Sequence, residues 1–289
     1  LSGNAFFAES VAQGTILYML MGQRRLYQTL KGTERTGWWK VDHTDGLRGK
    51  TVGLVSFGMI AQNVAEIRSR MNAAAIAAGR DPKEILLCAA TKMNDASRVR
   101  EAIAAGIDCC GENRVQELVS KSADHAYDGV PIHFIGRLQT NKVKQVVGHV
   151  DLIQSVDRLS LLECIEKEAA KKGIVQDILL EINIGEEESK AGFTESEIME
   201  ITQNMEAFPH CRLCGLMAIP PVSKNKGENC RFFEKIRRIS VDIMAKSKHN
   251  ITMGILSMGM TDDFEDAIAC GSTMIRVGTA IFGQRKYDK

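Results

Sequence analysis

The sequence lacks a surplus of either charge: 37 lysines and arginines stand against 36 aspartates and glutamates in 289 residues, a formal net charge of +1. No global basic field is available to attract nucleic acid, and no polybasic run marks a membrane surface. Long apolar runs are missing too. The strongest, near Ile16 to Met21, is far shorter than the ~20 residues that cross a bilayer. The chain opens at Leu1 with no basic stretch ahead of an apolar one, so the expectation is no secretory leader and a cytoplasmic protein. The eight cysteines show no paired metal spacing. Cys211-x-x-Cys214 has no second CxxC or His pair to accompany it, which argues against zinc, and no metal is expected. Thiols scattered through apolar segments, the Cys109-Cys110 doublet included, read as reduced core-fillers.

An intact dinucleotide-binding loop is also absent. Residues 9–30 read as a helix, Trp38-Trp39 and a polar turn follow, and Lys50-Thr51-Val52-Gly53-Leu54-Val55-Ser56-Phe57-Gly58 reads as a strand entering a turn. That stretch resembles the D-2-hydroxyacid dehydrogenase family. The resemblance breaks where function would begin. The G-x-G-x-x-G fingerprint lets backbone approach a pyrophosphate, and here Ser56 and Ala61 stand at its first and third glycine positions. Where an acidic ribose ligand is wanted, the next strand ends in Lys92. Residues 1–58 are therefore read as a fragment or extension without chemistry of its own, joined near Met59 to a second domain over 59–289.

That second domain is organised around Ile85-Leu86-Leu87-Cys88-Ala89-Ala90-Thr91-Lys92. A short apolar run between turn signals reads as a strand buried on both faces, as in parallel sheets. A lysine closing such a strand is partly desolvated, which favours its neutral, nucleophilic amine. Alternatively, it snorkels to water at a strand end.

From Ile60 a helix runs to Ala78, and strand and helix then alternate. Strands are expected at 85–91, 107–111, 131–135, 151–155, 177–184, 212–219, 251–257 and 272–277. Helices are expected near 95–105, 113–123, 141–147, 158–172, 195–207, 228–247 and 262–270, and from Thr279. Thr194-x-x-Glu197 has the form of a capping box, and Gly79, Gly106, Gly173 and Gly271 stand where left-handed helix stops are wanted. Eight β–α units in this length fit a (β/α)8 barrel, with an open doubly wound sheet as the competing architecture.

A barrel places its chemistry at the C-terminal ends of the strands. Those ends are polar or glycine-rich here. Gly278-Thr279 opens a short helix after the eighth strand, and Ser257-Met258-Gly259 follows the seventh. Together they suggest a phosphate cup, unless the glycines merely make tight turns. A lysine on the first strand and a phosphate cup on the last two are neighbours in a closed barrel. Pyridoxal 5′-phosphate (PLP), a phosphorylated aldehyde, uses both.

The motifs Ala90-Thr91-Lys92, Gly111-Glu112-Asn113-Arg114-Val115-Gln116-Glu117, HFIGRLQTNK from His133, Glu188-Ser189-Lys190-Ala191-Gly192, Gly215-Leu216-Met217-Ala218-Ile219-Pro220, LSMGMTDD from Leu256 and IRVGTAIFG from Ile275 lie in order at strand ends. Over 60–289 the chain resembles the pyridoxal phosphate homeostasis protein family. The resemblance implies a TIM barrel of the alanine racemase N-terminal-domain type. It further implies Lys92 carrying PLP as an aldimine, and Ser257, Met258, Gly278 and Thr279 at the phosphate. Arg276 would face the pyridine nitrogen, and Asn113, His133 and Met217 would line the ring. For His133, a satisfied barrel-wall histidine is the other reading. The implied role is to hold the cofactor and deliver it to apo PLP-dependent enzymes, without robust turnover. A racemase-like enzyme acting on small amino acids is the alternative. Racemases of this type carry an additional β-domain, which the sequence does not show.

Overall fold

The computed structural model describes residues 58–283 apart from 186–190, 222–224, 226 and 247–249. The expected helix over 9–30, the strand from Lys50 and the segment Glu188-Ser189-Lys190 lie outside these residues. Eight parallel strands, β1 (Leu86–Ala90), β2 (Cys109–Glu112), β3 (Ile132–Phe134), β4 (Leu152–Val156), β5 (Gln176–Ile182), β6 (Cys211–Ala218), β7 (Ile251–Ser257) and β8 (Met274–Val277), close into a barrel in sequence order. β1 pairs with β2 on one side and β8 on the other, so the open doubly wound sheet is excluded.

The helices are α1 (Met59–Ala77), α2 (Ala96–Ala104), α3 (Val115–Ala123), α4 (Leu159–Lys172), α5 (Glu195–Gln203), α6 (Cys230–Lys246), α7 (Phe264–Ala269) and α8 (Thr279–Phe282). Each boundary has a local cause. Thr194 and Glu197 form the expected capping box, and Gly79, Gly106, Gly173 and Gly271 all take positive φ at helix ends. Because α8 is a single turn, it leaves the β8–β1 seam open. Helix α1 covers it, burying Ile60, Val64, Ile67, Met71 and Ala75 and packing on α2, α7 and α8. Asn63 Nδ2 ties it to Ile281 O at 2.9 Å.

One expected helix is different. Over 141–147 the chain instead makes a 3-10 segment, Thr140–Gln145, that starts without a side-chain cap. Val143, Val146 and Val147 are all buried there. β-Branched side chains crowd an α-helical turn, and Gly148 (φ 72°) stops the segment before further turns form. The helix expected over 195–207 likewise ends at Gln203, with a 3-10 turn at Met205–Ala207.

Alternation along the strands sorts the core into two layers. Leu87, Ala89, Cys110, Phe134, Ile153, Ile178, Leu180 and Ile275 pack outward against the helices. Cys88, Cys109, Met274, Leu152, Leu179, Cys214 and Met217 fill the barrel itself. β6 changes register against both neighbours near Leu213 to Gly215. Only glycine fits at that shift, since a Cβ on Gly215 would stand 1.8 Å from Ile255 O.

Candidate cofactor site at the barrel mouth

Lys92 follows the last residues of β1, in the same alternation that turns Cys88 inward, and is half-buried at the C-terminal rim. Its backbone is fixed on both sides. The Thr91 N–H donates to Gly111 O at 3.0 Å, extending the β1–β2 ladder beyond Ala90. Met93 turns the chain at φ 60° and donates its N–H to Glu117 Oε2 at 2.6 Å. Beneath this turn lies a buried ionic cluster. Glu112 Oε1 accepts from Thr91 Oγ1 at 2.6 Å, Lys121 Nζ at 2.7 Å and Tyr127 Oη at 3.1 Å. Lys121 Nζ also donates to Thr91 O at 2.8 Å and Glu117 Oε2 at 3.1 Å. Burial, then the Glu112 carboxylate, raises the Tyr127 phenol above its ordinary pKa. A single cation thus gathers two carboxylates and the carbonyl that precedes Lys92.

A second polar chain crosses the barrel. Arg276, 5% exposed, donates from Nη1 to Ser257 O and Ser257 Oγ, both at 2.6 Å, and from Nη2 to Ala218 O at 2.9 Å. Ser257 Oγ donates to Gln154 Oε1 at 2.6 Å. Gln154 Nε2 lies 2.9 Å from His133 Nδ1 and donates to Met274 Sδ at 3.1 Å. Five strands, β3, β4, β6, β7 and β8, are thereby joined through one connected run of hydrogen bonds. Burial pulls the Arg276 pKa below the usual guanidinium value, against the opposing pull of Cys88, Glu181 and Asp263. Arginine remains charged regardless. Glu181 on β5 shows the complementary effect: burial, reinforced by Asp157, pushes its carboxyl up to about 7.

The expected site residues separate into three groups. Lys92, Arg276, Gly278 and Thr279 lie along the β8–β1 seam, with Arg276 level with Cys88, four residues before Lys92. β1 and β8 are paired at Cys88–Arg276 and Ala89–Val277, and Gly278 lies so close to β1 that a Cβ would stand 3.2 Å from Ala90 Cβ. Asn113 directly follows β2, Met217 stands one residue before the end of β6, and His133 sits deeper, in the middle of β3. Met217 belongs to the interior cluster, and Asn113 Oδ1 is buried with no hydrogen-bond partner among the described residues. Ser257 and Met258 are placed otherwise. The Ser257 hydroxyl is taken up by Gln154 and Arg276. Met258 packs its side chain in the outer layer and donates its N–H to Met274 O at 3.1 Å. Lys121, Gln154 and Glu181 border the candidate site without having been singled out by the motifs, and Glu112 stands only as a member of the second-strand motif. Strand register turns Gln154 and Glu181 inward.

Asn113 also edges a cleft of about 710 Å³ beside the mouth, lined by Arg114, Arg137, Lys142 and Arg158 among others. Arg158 and Arg137 converge on the buried Asp157 carboxylate. Cys211 and Cys214 lie on opposite sides of β6, one in the outer layer and one inside. Cys88 and Cys109 do meet, with His133 against them, as do Cys230 and Cys270. A hydrogen bond from Cys109, aided by His133, draws the Cys88 thiol down to about 6, and the Cys109 thiol rises in turn.

This closed barrel, with a lysine on β1 and an arginine on β8, is of the class described as alanine racemase, N-terminal domain, whose family matches residues 55–286. A protein of Escherichia coli (strain K12) named pyridoxal phosphate homeostasis protein is 41% identical over 233 residues, covering 80% of this chain and 98% of that protein. The protein of the same name from Aquifex aeolicus (strain VF5) is 39% identical over 226 residues, covering 78% and 98%. Among solved structures, PipY of Synechococcus elongatus PCC7942 with PLP bound matches at TM-score 0.68 and 31% identity, covering 78% of this chain and all of that one. The chain belongs to the pyridoxal phosphate homeostasis protein family.

Proposed function

We propose that this protein binds pyridoxal 5′-phosphate at the barrel mouth, held covalently by Lys92, and serves to buffer the cofactor and deliver it to apo PLP-dependent enzymes in the cytoplasm. The observation that carries the reading is the juxtaposition, across the β8–β1 seam, of the half-buried Lys92 with Arg276 and the Gly278-Thr279 turn. The PLP-bound PipY structure supports it. The donor set fits the group: an amine for an aldehyde, a fixed cation for a pyridine nitrogen, main-chain donors for a phosphate. The orphaned Asn113 Oδ1 supplies a polar atom for the ring.

When bound, the cofactor supplies an electron sink for amino-acid chemistry. This chain's own residues hold that sink in check. Arg276 is fixed by three acceptors, and its permanent charge disfavours protonation of a ring nitrogen beside it. Carriage therefore fits the site better than racemase-like turnover. The Glu112–Lys121 cluster sets the direction of Lys92, and Met217 and His133 limit water at the rim.

The test is the visible spectrum of the full chain with PLP, before and after borohydride, for wild type and Lys92→Ala. A yellow band trapped covalently on Lys92, and absent from the variant, is expected. A colourless wild type that traps nothing removes the reading. Fast racemisation of a small amino acid would replace carriage with catalysis. Residues 1–58 are proposed to be dispensable, so a chain starting at Met59 binds PLP with unchanged affinity. Loss of binding on that deletion would show that the extension completes the site.

A further inference from the structure

We propose that Cys88, Cys109 and His133 form a binding site for a thiophilic d10 cation, zinc being the probe, in the floor of the barrel below the mouth. The three donor atoms lie within 4.8 Å of one another, and the residues are 0%, 2% and 7% exposed. They are the one such group of His, Cys, Asp or Glu among the described residues. Strand register builds it: Cys88 is the direct partner of Cys109 across β1–β2, and β3, paired to β2, brings His133 from the next strand. With zinc–sulfur bonds of ~2.3 Å and zinc–nitrogen bonds of ~2.1 Å, a metal in the plane of three donors needs them about 3.8–4.0 Å apart. The three donors, all within 4.8 Å of one another, stand close to that size.

The surroundings suit a soft ion. Two thiolates neutralise a divalent charge, and sulfur with imidazole selects zinc or monovalent copper over calcium and magnesium. Met274 completes the same interior cluster, which places a thioether beside the thiols. Gln154 holds His133 Nδ1 at 2.9 Å, leaving Nε2 as the coordinating nitrogen in the usual outer-shell arrangement. Binding releases to solvent whichever protons the thiols still hold. Coordination through Nε2 puts the ring proton on Nδ1, where Gln154 accepts it once its amide turns over. The site shares His133 with the proposed cofactor pocket, so it is tested without PLP.

The test uses the full chain, reduced and without PLP, titrated with cobalt(II) as the spectroscopic substitute for zinc. One equivalent is expected to produce tetrahedral visible bands and a thiolate charge-transfer band. Cys88→Ser and Cys109→Ser should each abolish the charge-transfer spectrum, while the Cys211→Ser/Cys214→Ser double variant keeps it. Gln154→Ala should weaken binding about 10–100-fold. X-ray absorption of the zinc-loaded wild type, which needs no variant to fold, should report two sulfurs and one imidazole. An oxygen-and-nitrogen-only shell, absent binding, or bands that survive both single variants would overturn the proposal.

Discussion

Replacing Lys121 by Met tests whether the ionic cluster under Lys92 is structural. Its ammonium is 8% exposed and Glu112, its nearest partner, is 0% exposed. Three bonds are lost together: to Glu112 Oε1 at 2.7 Å, Thr91 O at 2.8 Å and Glu117 Oε2 at 3.1 Å. Glu112 keeps only the neutral donors Thr91 and Tyr127, and its Oε2 already has no partner among the described residues. Removing one member of a buried pair costs about 3–5 kcal/mol, because the other charge stays behind. In a domain of this size that lowers Tm by roughly 6–20 °C. Lys121→Met, Glu112→Gln and the double variant should be compared by urea unfolding. The double is expected to be less destabilised than the sum of the singles by about 1–3 kcal/mol. PLP affinity should fall with Lys121→Met, since Thr91 O loses its donor. A Lys121→Met protein within about 1 kcal/mol of wild type, or strictly additive singles, would refute the reasoning, because a desolvated partner cannot be abandoned so cheaply.

Other perturbations probe different parts of the barrel. Glu181 holds its proton to about 7 when folded against ~4.3 unfolded, so the folded state binds the extra proton. Stability then falls as pH rises between those values and levels off above the folded pKa. The change is roughly 4 kcal/mol, and Glu181→Gln should flatten it in denaturation curves run from pH 4.5 to 8. Arg276→Lys keeps the charge but not the fork. At least two of its three acceptors at Ser257 and Ala218 lose their donor, and a loss of about 2–4 kcal/mol is expected by chemical unfolding. Unchanged stability would mean that the crossing chain rearranges freely. In Gly136→Ala the new Cβ would stand 2.4 Å from Asn113 O. The loop must shift at about 1–3 kcal/mol, and PLP affinity measured by absorbance should weaken with it; an unaffected affinity would detach Asn113 from the site.

The barrel was legible because its evidence is local. Each strand is a short apolar run bounded by glycine or polar turns, and the capping pair Thr194–Glu197 and the helix-stop glycines need only neighbouring residues. The 140–145 segment was misread because helical spacing does not register that Val143, Val146 and Val147 must all turn inward from so short a piece. Around the mouth, Lys92 and Gly278-Thr279 could be found from strand ends alone, since a closed barrel makes first and last strands neighbours. Ser257 shows the limit of that method. Its position marks it for a phosphate, but whether its hydroxyl is available depends on Gln154, a residue 103 positions earlier.

What could not be read from the sequence follows one physical pattern. Gln154, Glu181 and the Cys88–Cys109 contact sit on strands whose neighbours read as plain apolar text, and nothing in the chain order says which strand faces which. Closure decides it. When eight strands wrap into one ring, every second side chain is forced into a shared interior too small for bulk water, so each polar group there must find its partner among the other strands. Arg276 meets that demand through Ser257 and Ala218, and Gln154 through Ser257 and His133. The floor of the mouth is consequently fixed by bonds that cross the barrel rather than by loops around it.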